Sequence, residues 1–89
     1  MELNVAVTVR IMPEGVDTDL DKIRKGVEKI VKGFGRVNSS EIKPIAFGLN
    51  SLEVVFLLDD KKGGMDKIDE MVRKIPGVSE TDVLGITRI

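Results

Sequence analysis

Cysteine and histidine are both absent from this 89-residue chain, and so are tryptophan and tyrosine. Without cysteine there is no disulfide, no zinc finger, no iron–sulfur cluster and no thiol nucleophile. Without histidine the usual general base and the commonest metal ligand are lost together. Most hydrolytic mechanisms lose their best side chain at this step. Neither sign of charge predominates: 14 lysines and arginines against 15 aspartates and glutamates give a net charge of -1. A broad nucleic-acid or anionic-membrane surface needs a basic excess, so neither is expected. Long apolar runs are missing too, since none approaches the roughly 20 residues of a membrane helix. No segment has the pattern of a signal peptide, and a cytoplasmic protein is the expectation. Asn38-Ser39-Ser40 matches the glycosylation sequon, which means little without a secretion signal.

What is present suits one small globular domain over residues 1–89. A chain of this size buries about two-thirds of the surface its unfolded form exposes, enough for one core. From Leu3 to Ile11 apolar and other residues alternate, with Val5, Val7 and Val9 on one side and Thr8 and Arg10 on the other. Period two with β-branched side chains predicts a half-buried strand. Leu20, Ile23, Val27, Ile30 and Val31 then recur at helical spacing, which predicts a helix near 19–32. Asp17 or Thr18 is the expected cap, with Asp19 and Asp21 in the first turn, where the helix dipole favours negative charge. Gly33 fits the left-handed position beyond the helix end.

Residues 36–43 are polar and mixed, with Val37 and Ile42 as apolar points, and read as an edge strand. Leu52–Leu58 is apolar at nearly every position except Glu53, the mark of a central strand covered on both faces. Met65, Ile68, Met71, Val72 and Ile75 mark a second helix, near 64–74, stopped by Pro76-Gly77. A last strand runs from about Glu80 to Ile89. The order β-α-β-β-α-β implies two split strand–helix–strand units with right-handed crossovers. The expected fold is therefore α+β and ferredoxin-like: a four-stranded antiparallel sheet, strands 1 and 3 central, with two helices on one face. Such a fold hosts many functions and identifies none.

Several chemical readings fail on particular residues. Asp17, Asp19, Asp21 and Glu28 have the spacing of a calcium loop, but Lys22 stands where its glycine is required. Helix capping explains those carboxylates better. Asp59, Asp60, Lys61 and Lys62 read as a solvated loop. Gly63-Gly64, before the second helix, lacks the lysine and hydroxyl pattern of a phosphate loop. An RNA-recognition sheet stacks bases on aromatics of its inner strands. Strand 1 has no aromatic and strand 3 only Phe56, with Asn4, Ala6, Thr8 and Arg10 on the expected open face. An ACT-like regulatory domain binding a small ligand shares the topology and stays open as the alternative.

One stretch breaks the pattern. In "KPIAFGL", residues 43–49, a proline and a glycine bracket an expected turn, yet Ile45, Ala46 and Phe47 are apolar. Together with "RIMPEGVDTDLDKI" and the ending "TDVLGITRI", it resembles the guanine-nucleotide exchange domain family of archaeal translation elongation factor 1-beta. The resemblance spans the whole chain, with "PIAFGL" its most specific piece, and the family's fold is ferredoxin-like. It implies exchange on the GTPase elongation factor 1-alpha through protein–protein contact, with no covalent chemistry, bound cofactor or metal in the chain itself. It further implies partner contacts at Pro44, Ala46, Phe47, Gly48, Arg88 and Ile89, with Phe47 an exposed anchor. The family's penultimate lysine reaches toward the partner's magnesium site. The matching residue is Arg88, followed by Ile89 where the family has leucine or similar. A monomer without direct nucleic-acid contact is expected. The topology places Phe47 and Arg88 at opposite ends of the sheet.

Overall fold

In β1 (Val5–Pro13) the alternation is an alternation of burial: Val7, Val9 and Ile11 are buried, while Ala6, Thr8 and Arg10 between them are half-exposed. The computed structural model describes residues 2–61 and 63–89, so Lys62 of the charged loop lies outside the described residues. β1 is followed by α1 (Leu20–Lys32), β2 (Gly35–Pro44), β3 (Asn50–Leu58), α2 (Met65–Arg73) and β4 (Val78–Arg88). All ladders are antiparallel, in the order β2-β3-β1-β4. The two most apolar strands are thus central, as their sequences imply. Ile23, Val27 and Val31 of α1 and Ile68 and Val72 of α2 share one cluster with the inward residues of β1 and β3. Both helices therefore cover the same face. Phe56 belongs to that core, 1% exposed and level with Val7 and Val37, so it is not an open-face aromatic.

Element ends differ from expectation for identifiable reasons. β1 runs from residue 5 to 13 rather than 3 to 11. Pro13 is tolerated because it falls at a register irregularity opposite Val78, the first residue of β4, where a ladder donor is not needed. The cap of α1 is Asp19, not Asp17 or Thr18: its Oδ1 accepts from the amides of Asp21 at 3.1 Å and Lys22 at 3.2 Å. Thr18 instead accepts from the Gly15 amide at 3.1 Å, tightening the loop before the helix. Asp21 is drawn below the usual carboxylate range, first by its hydrogen bond to Arg24 and then by Lys25. Arg24 also binds Glu28, so Asp19, Asp21 and Glu28 all make contacts within α1. Asp19→Ala is expected to cost about 1 kcal/mol of stability, and Asp17→Ala within about 0.5 kcal/mol of none. Paired urea titrations check this; equal losses would return the cap to the loop.

Gly33 is right-handed, with φ -76°, and does not take the left-handed position. The glycine this corner requires is Gly35. A Cβ there would lie 1.9 Å from the Leu57 carbonyl oxygen, so only glycine lets β2 join β3 immediately after α1.

Strand directions sort the loops into two ends. The β1–α1, β2–β3 and α2–β4 loops share one, where the Glu14 amide donates to the Gly77 carbonyl at 2.9 Å. The β3–α2 loop and the end of β4 share the other, where Val5 lies opposite both Leu58 and Arg88. The molecule is 40 Å along its longest axis and 21 and 17 Å across the others.

Candidate functional site: a hairpin turn and a strand tip

β2 and β3 are joined by a tight turn. The Ile45 amide donates to Leu49 O at 2.8 Å, and the Leu49 amide donates to Ala46 O at 2.9 Å. That leaves Phe47 and Gly48 as its central residues, with φ 53° and 80°. Positive φ at both positions matches the turn to the twist of the flanking strands. Glycine adopts such an angle freely. For an L-residue with a side chain the left-handed conformation costs roughly 1–2 kcal/mol, and a bulky aromatic is an unusual occupant. Phe47 gains no compensating burial, because it is 98% exposed. It does not fold back over the core.

Pro44 ends β2 opposite Asn50, and Pro44, Ala46 and Gly48 are all exposed. The turn has two apolar neighbours, of which Val16 had no part in the "KPIAFGL" motif. Ile45 is 41% exposed and Val16, in the β1–α1 loop, 66% exposed. Val16 stands beside the turn, since a Cβ added to Gly48 would be 3.8 Å from its Cγ1. The available signal was the anomaly Phe47 itself shows: an apolar side chain in a stretch of turn formers, here between Gly15 and Asp17.

At the far end Arg88 is the last residue of β4, paired in the sheet with Val5. The strand tip is held, since the Ile89 amide donates to Asn4 O at 2.9 Å. The Arg88 guanidinium lies 2.8 Å from Asp60 Oδ2, yet its side chain is 71% exposed. Asp60 is fixed in turn by Asn4, whose Nδ2 donates to Oδ1 at 3.0 Å and whose Oδ1 accepts from the Asp60 amide at 3.1 Å. The Asn4 hydrogen bond, then Arg88, lowers the Asp60 pKa below the usual carboxylate value, so Asp60 is ionised at neutral pH. Ile89 is exposed. The six residues expected at a partner surface thus form two groups: Pro44, Ala46, Phe47 and Gly48 at one end, Arg88 and Ile89 at the other.

Fold and site together define a ferredoxin-like α+β domain with a strained apolar turn at one end and an ion-paired arginine at the other. The chain belongs to the EF-1 guanine nucleotide exchange domain family, whose model matches residues 6–89. It is 42% identical over 84 residues to elongation factor 1-beta of Methanococcoides burtonii, covering 94% of each chain. To elongation factor 1-beta of Metallosphaera sedula it is 41% identical over 88 residues, covering 97% of this chain and 96% of that one. The family's role is guanine nucleotide exchange in translation elongation. Among solved structures, the ACT domain from GTP pyrophosphokinase of Chlorobium tepidum matches with a TM-score of 0.62 at 13% identity, over 91% of this chain and 99% of that one. That likeness is one of fold. Among the described residues no helix is long and apolar enough to cross a membrane.

Proposed function

We propose that this chain is a single exchange domain over residues 1–89 that promotes GDP release and GTP reloading on elongation factor 1-alpha. It acts as a cytoplasmic monomer, without bound cofactor, metal or direct contact with nucleic acid. The observation that carries the reading is Phe47, an aromatic held in a costly backbone conformation and left 98% exposed. Backbone strain that the fold does not need accompanies function, and aromatics that fill a partner pocket are common anchors.

No bond is made or broken in the exchange. The factor must bind the nucleotide-free GTPase better than the nucleotide-bound one, since only differential affinity shifts an equilibrium. Phe47, with Pro44, Ala46 and Gly48 around it, supplies docking. Arg88, with Ile89, brings a fixed positive charge toward the site where the GTPase holds Mg²⁺ with GDP, and like charges close together compete. The placement of the two groups at opposite ends of the sheet supports a division of labour: one grips while the other perturbs.

The direct test mixes the protein, substoichiometrically, with elongation factor 1-alpha loaded with fluorescent GDP and an excess of unlabelled nucleotide. Release should accelerate and turn over. Release at the spontaneous rate, with calorimetric binding of a free amino acid instead, would reverse the assignment in favour of an ACT-like regulatory domain.

A further inference from the structure

Resting on that reading, we infer that Asp60 is a positioning residue for Arg88, and that Asn4 holds Asp60 in place. Three segments remote in sequence meet here: the residue before β1, the β3–α2 loop and the end of β4. An arginine at a strand tip has several freely rotating bonds and would sample many directions. The contact with Asp60 Oδ2 at 2.8 Å selects one, while the side chain stays 71% exposed. A guanidinium carries five N–H donors in a rigid fork, so a carboxylate on one nitrogen can aim the group without covering it.

Asp60 can do this because it is itself held by hydrogen bonds. Its carboxylate and its amide are both bonded to the Asn4 side chain, at 3.0 and 3.1 Å. The loop around it is braced by Asp59, which accepts from the Lys61 amide at 2.9 Å. The Asn4 amide in turn donates to Leu58 O at 3.0 Å, on the central strand β3. The aim of Arg88 is therefore set by the sheet. Of the two partners, the one that touches the GTPase is Arg88; Asp60 acts through it.

Ordering a flexible side chain at an interface is a cost of association or of the transition state, and prior ordering removes it. Asp60→Asn, nearly the same in shape but uncharged, should lower the maximal GDP-release rate at saturating factor about 3- to 10-fold. The half-saturating concentration, governed by the other end, should stay within about twofold. Asn4→Ala should act in the same direction and more weakly. In an Arg88→Ala background neither change should have any further effect, a result that a merely structural role would not give. Three outcomes overturn the inference: a wild-type maximal rate for Asp60→Asn, a rate above wild type, or an equal loss with and without Arg88. If the wild-type protein itself fails to release GDP, the exchange reading falls and takes this inference with it. If the wild type is active and Asp60→Asn matches it, only the inference falls.

Discussion

Phe47→Asn should yield a protein that is more stable and a partner complex that is weaker. Asparagine tolerates the left-handed conformation, and Asn-Gly is a favoured pair in two-residue hairpin turns of this kind. Because Phe47 is 98% exposed with φ 53°, its removal sacrifices no core packing and relieves strain. A rise of about 0.5–1.5 kcal/mol in unfolding free energy is expected. Affinity for elongation factor 1-alpha should fall by about 1–3 kcal/mol, the range for loss of an aromatic anchor, or roughly 5- to 150-fold in dissociation constant. Phe47→Ala should show the same loss of binding with little change in denaturant midpoint. A large midpoint drop with unchanged partner affinity would place Phe47 among the structural residues instead.

Loss of the opposite tip should act on rate. Removing Arg88 and Ile89 leaves the core cluster untouched, because neither residue belongs to it, so a folded domain is expected. Maximal exchange should nevertheless fall about 10-fold or more, the scale on which a single charge near a buried cation acts. Arg88→Ala should reproduce the loss. Arg88→Lys should retain most activity, since the ammonium keeps both the charge and a donor for the single contact with Asp60. Raising Mg²⁺ should slow the wild-type reaction by stabilising the nucleotide-bound state that the factor must displace, and Arg88→Ala should respond less steeply. If Arg88→Ala exchanges as fast as wild type at every Mg²⁺ concentration, the charged tip plays no part and distortion of the GTPase by the rest of the surface must suffice.

The fold was legible because its signals are periodic. The period-two run of β1, the helical stripe from Leu20 to Val31 and the near-continuous apolar run of β3 each report which faces are buried, and the β-α-β-β-α-β order leaves few topologies. Failures came where a single contact outranks the pattern. Three acidic or hydroxyl residues in a row could cap α1, and only the backbone path shows that Asp19 does. Gly33 and Gly35 are equally plausible corner glycines in a string, but the close approach of the Leu57 carbonyl singles out Gly35.

Legibility of the candidate site divides the same way. Phe47 stood out because apolar residues seldom occupy a turn, and Arg88 through the family resemblance. Val16 shows the same local anomaly, but its place beside Gly48 depends on two loops meeting across the sheet end. Asp60 and Asn4 were invisible in their roles. An aspartate in a charged loop reads as solvated, and nothing in the chain's order reveals that it lies against a strand tip 28 residues later.

Division of labour between the two ends is the central claim, and saturation kinetics of GDP release test it most directly. Release of fluorescent GDP from elongation factor 1-alpha is followed as a function of factor concentration for wild type, Phe47→Ala, Arg88→Ala and the double variant. The account predicts that Phe47→Ala raises the half-saturating concentration and leaves the plateau, whereas Arg88→Ala lowers the plateau and leaves half-saturation. The double variant should show both changes, independently, as expected for sites too far apart to couple. Both single variants moving the same parameter, or a wild-type curve no faster than spontaneous release, would contradict it.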